Sequence, residues 1–116
     1  SVPDSLQACL DEMPVDIDPR VPRMVRGYFE DMYLSLLSAK RSVRPGGSLA
    51  LVVGNVRHAG VVVPVDEILA AVGEEVGLRW TGTWVIRLRG NSAQQMGKYG
   101  RVPSREGIVF FRVPEQ

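Results

Sequence analysis

Between residues 20 and 43 the apolar side chains fall at Val25, Phe29, Met32, Leu36, Ala39 and Val43. The gaps of four and three residues keep one stripe along a helix, which Tyr28, Tyr33 and Leu37 widen. Lys40, Arg41 and Arg44 crowd its end, where the partial negative charge of a helix C-terminus favours cations. Pro45, Gly46 and Gly47 then stop it. Ser48 to Val53 is apolar or small throughout, without polar alternation, which predicts a strand covered on both faces as in a parallel sheet. Gly54 to Gly60 reads as a loop at the carboxyl end of that strand, with Val61 to Val63 leading to a second helix. Pro64 suits its first position, Asp66 and Glu67 its positive N-terminal end, and Gly77 its stop. Val65, Ile68, Leu69, Val72 and Val76 form its apolar face. Gly73 in the same helix costs roughly 1 kcal/mol relative to alanine, which points to close packing there.

Leu78 to Leu88 and Gly107 to Val113 are rich in β-branched and aromatic residues and predict an antiparallel pair of strands. Trp80 and Trp84, four apart on the first of them, are expected to share a face in the core or at an interface. Ahead of the long helix, Ser5 to Leu10 predict a short helix capped by Asp4 or Ser5. Pro14, Pro19 and Pro22 keep residues 11 to 21 turning or extended, as a crossing loop.

The 116 residues suit one domain, and 45% apolar with 23% charged residues is ordinary globular composition. No apolar run approaches the roughly 20 residues of a membrane span, so a cytoplasmic protein without membrane contact is expected. A single cysteine and a single histidine exclude an internal disulfide and a Cys–His nucleophile pair, and leave no metal-ligand cluster. Cys9 is expected to serve as a small buried apolar residue.

The net charge of +1 conceals a division. Residues 1 to 31 carry seven acids against three arginines, whereas Val76 to Arg105 hold no acid. Residues 89 to 106, between the last two predicted strands, form an arm too long for a simple turn, and such connections are usually functional or disordered. Along it and at its roots, Arg87, Arg89, Lys98, Arg101 and Arg105 are suited to phosphates, Asn91, Gln94 and Gln95 to base edges, and Tyr99 to stacking. The alternative is a solvated arm whose cations pair with the acidic N-terminal segment. Arg105-Glu106 is expected to pin the mouth of the hairpin. Ligands of open α/β sheets sit at the carboxyl ends of strands, which singles out Gly54 and Asn55. The competing role for Asn55 is to close the loop with its own side chain. Arg57 and His58 follow in the same loop, and His58 has no visible partner.

The stretch YFEDMYLSLLSAKRSVRPGGSLALVVGN, a helix closing on a Pro-Gly-Gly turn before an apolar strand, resembles DNA-modification methylases. So does GKYGRVPSREGIVFFRV, where an Arg-Glu pair precedes the last apolar strand. Together they cover residues 22 to 113 and are similar to class I S-adenosylmethionine-dependent DNA methyltransferases of the adenine-N6/cytosine-N4 type. The resemblance implies an α/β fold, a partial Rossmann-like methyltransferase sheet with flanking helices and a C-terminal antiparallel hairpin. It also implies S-adenosylmethionine as methyl donor, with Gly54 and Asn55 on the donor side, and an exocyclic amine of a flipped base as acceptor. The family's Gly-rich turn after the first strand and its Asp/Asn-Pro-Pro-aromatic motif are both absent. The expectation is therefore the C-terminal half only: residues 1–21 as a lead-in with a short helix, and 22–116 as half of the methyltransferase-like domain, inactive by itself. Expected partners are DNA, with RNA as the alternative within the class, and either a missing N-terminal half or a homodimer partner across the open sheet edge. A bacterial restriction-modification setting follows from the same likeness. A reading from another class is a non-catalytic interaction module that uses the basic arm.

Overall fold

In a computed structural model the described residues are 3–58, 61–89 and 104–115, with the backbone alone for 56–58, 87–89, 104 and 105. They form an α/β arrangement in the order α1 (Asp4–Asp11), α2 (Arg20–Ser42), β1 (Ser48–Gly54), β2 (Val56–His58), β3 (Val61–Val63), α3 (Val65–Glu75), β4 (Arg79–Arg89) and β5 (Ser104–Arg112).

The lead-in helix starts from Pro3, whose carbonyl accepts the Gln7 N–H at 3.0 Å. Neither Asp4 nor Ser5 caps it with a side chain, because Asp4 is already its first helical residue. The chain then turns through residues 12–19 into α2. Asp18 accepts the Arg20 backbone N–H at 2.9 Å and pairs with its guanidinium at 2.6 Å. That guanidinium holds the exposed Asp18 carboxyl below the usual carboxylate range. The expected stripe of α2 is present: Val25, Phe29 and Leu36 are buried, with Met32, Tyr33 and Leu37 packed on them. Arg44 to Gly47 make a turn with Pro45 second and Gly46 third at φ 82°, closed by the Gly47 N–H on the Arg44 carbonyl at 2.9 Å. Only glycine takes that left-handed position without strain. The turn is tied to the end of the chain, since two bonds cross between them: Gly46 N–H to the Val113 carbonyl and Val113 N–H to the Gly47 carbonyl, both 2.8 Å.

Strand β5 lies between β1 and β4 and runs antiparallel to both, so the expected C-terminal hairpin is present as β4–β5. The expectation for β1 is corrected. It is an edge strand among the described residues, paired antiparallel rather than parallel, and its exposure alternates along its length. The reason is that α3 packs across all three strands on one face only. Leu49, Leu51 and Val53 point to that face, while Ala50 and Val52 point away and Val52 stays 75% exposed.

The two tryptophans do not share a face. A bulge between Trp80 and Gly82 inserts one residue and reverses the alternation, so Trp80 stands opposite Phe111 and Trp84 opposite Ile108. Trp80 donates to the Thr83 hydroxyl at 3.0 Å, and Trp84 meets Phe110 edge-on at 5.4 Å on the opposite face. Both are exposed, and neither belongs to the core.

The core sits between the helices and the inner sheet face, with Ile68, Leu69 and Val109 wholly enclosed. The end of α3 has both bonds of a Schellman stop: Gly77 N–H to the Glu74 carbonyl at 3.1 Å and Leu78 N–H to the Gly73 carbonyl at 2.9 Å, with Gly77 at φ 97°. Lys40 and Arg41 stand in the last turn of α2, as expected, and Lys40 also reaches across to donate to the Val76 carbonyl at the end of α3 at 3.0 Å.

Cys9 is buried under β3, its thiol 3.8 Å from the Val62 carbonyl. Burial first, and Glu12 second, push its pKa up. A raised folded value leaves this contribution to stability intact below the ordinary thiol pKa and removes it as pH rises through the folded one. At neutral pH Cys9 should therefore react with Ellman's reagent only once denaturant opens the protein. Rapid reaction of the native protein would contradict the packing of α1.

Candidate functional site

The strand β1 ends at Gly54, which is exposed, and Asn55 follows. The expected open loop is partly ordered: β2 and β3 form a small antiparallel ribbon, Val56 opposite Val63 and His58 opposite Val61. Val61-Val62-Val63 carries a β-branched signal for it, but the facing Val56-Arg57-His58 holds a single β-branched residue and each strand is only three residues long. Arg57 and His58 lie in β2, which is described by its backbone alone.

Asn55 is engaged structurally. Its side-chain oxygen accepts the Asp66 N–H at 3.3 Å, satisfying an amide of the first turn of α3 that has no partner within the helix. Asp66 itself is 2% exposed and accepts the Glu67 N–H at 2.8 Å. The sequence marks Asp66 only as an acid suited to a helix N-terminus. Its burial is a tertiary effect, because the Asn55 segment folds over that end of α3. Beside Gly54 opens a cleft of about 350 Å³ lined by Met24, Val25, Tyr28, Phe29, Val63 and Val65, almost wholly apolar.

In dinucleotide-binding sheets a turn runs from strand directly into helix with its backbone free for the ligand. Here a ribbon intervenes between β1 and α3, and the Asn55 side chain is committed to α3. No group of three or more potential metal-ligating side chains occurs among the described residues.

The arm is rooted at the same end of the sheet. Opposite Glu106 of the central strand stand Gly54 on one side and Arg87 on the other. The β4–β5 ladder continues through Leu88 opposite Arg105 to Arg89 opposite Ser104. Register thus gathers Gly54, Asn55, Arg87, Arg89 and Arg105 at one end of the sheet. Asn91, Gln94, Gln95, Lys98, Tyr99 and Arg101 lie outside the described residues. Glu106 lies two pairs inside the described end of the ladder, and the side chain of Arg105 lies outside the described ones.

The described α/β segment, with the loop after β1 and the ends of β4 and β5 together at one end of the sheet, is compatible with the resemblance to DNA methyltransferases, and comparison with known proteins shows that resemblance directly. The chain is 39% identical over 92 residues to the Type II methyltransferase M.BsoBI of Geobacillus stearothermophilus, covering 78% of this chain and 18% of that protein. It is 38% identical over 95 residues to the Type II methyltransferase M.AvaI of a Nostoc species and of Anabaena variabilis, covering 81% of this chain and 20% of those proteins. These relatives are Type II DNA methyltransferases. The chain spans about a fifth of the length of the curated relatives it matches. No family profile and no solved structure matches it. Among the described residues no helix is long and apolar enough to cross a membrane.

Proposed function

We propose that these residues are the C-terminal portion of an S-adenosylmethionine-dependent DNA methyltransferase of Rossmann-like architecture, acting on an exocyclic amine of adenine or cytosine in a bacterial restriction-modification setting. The observation that carries this reading is the identity of 38 to 39% with Type II methyltransferases over about four fifths of the chain. In this division of labour the segment supplies the acceptor side. Arg87, Arg89, Lys98, Arg101 and Arg105 hold phosphates, Asn91, Gln94 and Gln95 meet base edges, and Tyr99 stacks. Gly54 and Asn55 border the donor, whose Gly-rich cradle and Pro-Pro-aromatic motif come from chain beyond these residues. Alignment of donor and amine is most of what such an enzyme contributes, so this portion is inactive when isolated.

Two titrations test the reading. Residues 1 to 116 should show no saturable heat with S-adenosylmethionine, and tight one-to-one binding would contradict the assignment of the donor site elsewhere. The same protein should bind duplex DNA at low salt and release it steeply as salt rises. Failure to bind at low salt removes the arm from the proposal.

A further inference from the structure

Strand β4 forms one edge of the sheet, and among the described residues it pairs with β5 alone. From Trp80 to Ile86 it carries no charge and no proline, two devices that commonly blunt an edge. Bulges interrupt it instead, and between them Gly82, Thr83, Trp84 and Val85 keep regular register with Phe110, Val109, Ile108 and Gly107. The other side of those four residues is a short, straight template for one more strand. Beside it, α3 and the inner side of β4 bound a groove of about 450 Å³. Glu67, Ala70, Ala71 and Glu74 form its helical wall, at spacings that share one face. Both glutamates are exposed, and they stand about 10 Å apart along the helix with only small side chains between them. Trp80, Thr83 and Val85 form the strand wall, Trp80 being 43% and Val85 53% exposed. The indole N–H of Trp80 already donates to the Thr83 hydroxyl, so what it offers a ligand is its ring.

We infer that the β4 edge and this groove together bind an extended basic peptide segment of another protein. The segment adds a short strand at Gly82 to Val85 and sets lysine or arginine side chains against Glu74, Glu67 and the Trp80 ring. This binding goes beyond methyl transfer and does not depend on it. Charge selects the occupant. No lysine or arginine lines the groove among the described residues, so the phosphates of a nucleic acid would meet only carboxylates. A second copy paired edge to edge about a twofold axis would bring the two α3 helices side by side, acids against acids. In an extended peptide every second side chain faces the groove, and side chains two or four residues apart stand about 7 or 13 Å from each other. Those distances bracket the separation of the two glutamates, within reach of long cationic side chains. A cation over the indole adds attraction. Exposed ion pairs contribute little each, so main-chain hydrogen bonds supply the affinity and the charges supply the selection.

The test titrates acetyl-Arg-Val-Arg-Val-Arg-amide into the 116-residue chain carrying Trp84→Phe, so that Trp80 alone fluoresces. Emission should change saturably with one-to-one stoichiometry. Glu74→Lys should weaken binding about tenfold, while Glu30→Lys, the same charge change on α2, should leave it unaltered. Alternate amides of an extended peptide point to opposite sides. N-methylation of the set that faces β4 should therefore abolish binding, and methylation of the other set should spare it. Circular dichroism of the Glu74→Lys variant should match the parent, since residue 74 is exposed. No saturation at millimolar peptide overturns the inference, as does equal binding of acetyl-Glu-Val-Glu-Val-Glu-amide. Equal effects of the two charge reversals, or of the two methylated peptides, also overturn it, the first by removing the groove and the second by removing the added strand. Self-association that shields Trp80 without peptide would make a second copy the occupant, and duplex DNA that displaces the peptide would make it nucleic acid. Either result sinks the peptide site.

Discussion

Gly73→Ala should lower stability by about 2 kcal/mol and Gly73→Val by about 3 or more, although alanine is the better helix former by roughly 1 kcal/mol. A Cβ at residue 73 would fall on the edge of the Phe111 ring, meeting its Cε1 and Cζ atoms inside van der Waals contact. That ring is 1% exposed and cannot swing aside, because Leu49 and Trp80 flank it across the two ladders. Relief therefore requires α3 to lift from the sheet, and overpacking of this kind outweighs the gain in helix propensity. Against a total stability of about 5–15 kcal/mol for a domain, the valine variant should be largely unfolded at moderate urea. The midpoint of urea unfolding should fall with its slope unchanged. Phe111→Leu should recover part of the loss in Gly73→Ala while being destabilising by itself, a coupling that a double-mutant cycle measures. An alanine variant as stable as the parent would show that the close approach of α3 and β5 is wrong. Lifting α3 also moves the Asp66 N–H away from Asn55, so the loop after β1 should loosen before the sheet does.

Much of this architecture is legible in the sequence because helices announce themselves by period. The Val25–Phe29–Leu36 stripe, the Gly77 stop and the close packing at Gly73 each follow from local rules that tertiary structure does not override. Strands are less transparent. The uniform apolar run of β1 suggests a parallel strand covered on both faces, whereas the strand is paired antiparallel and is covered on one face among the described residues. An apolar run specifies that a strand can be buried, not the direction of its neighbours or how many layers cover it. Trp80 and Trp84 are separated onto opposite faces by a single inserted residue at Thr81, and no periodicity rule anticipates a bulge. The β2–β3 ribbon escapes because three-residue strands hold too little alternation to register.

For the candidate site, the sequence singles out two segments and the structure supplies the relation of their described residues. Gly54-Asn55 and the roots of the arm are more than thirty residues apart in the chain, yet β5, inserted between β1 and β4, sets Gly54, Glu106 and Arg87 in one row. Asp66 and Asn55 are legible only as types, a helix-start acid and a turn amide. Their mutual engagement depends on how the ribbon returns the chain to α3.

That row also makes the charge argument local. If the arm end of the sheet faces DNA, neutralising Arg87, Arg89 and Arg105 together with glutamine should reduce the slope of log affinity against log salt by about 2 to 3, since each phosphate that a cation neutralises adds about 0.9 to that slope. Adding Lys98→Gln and Arg101→Gln should bring the reduction to about 4.5, on the order of ten-thousandfold in affinity near 0.1 M salt. Arg41, Arg44 and Arg79 are the control. They are exposed and carry the same charge, but they sit where α2 ends and β4 begins, at the opposite end of the sheet, where Arg79 stands opposite Arg112. Neutralising those three should leave the slope nearly unchanged, although net charge falls by the same amount. Equal effects from the two triples would mean that the protein's overall field, and not the arm, attracts DNA. Alanine at Asn91, Gln94 and Gln95 should instead leave the salt slope intact and relax discrimination between sequences, because base-edge hydrogen bonds release no counterions. A drop in slope confined to the Arg87 end, with sequence preference abolished only in the amide variants, would establish the arm as the element that both holds and reads the duplex.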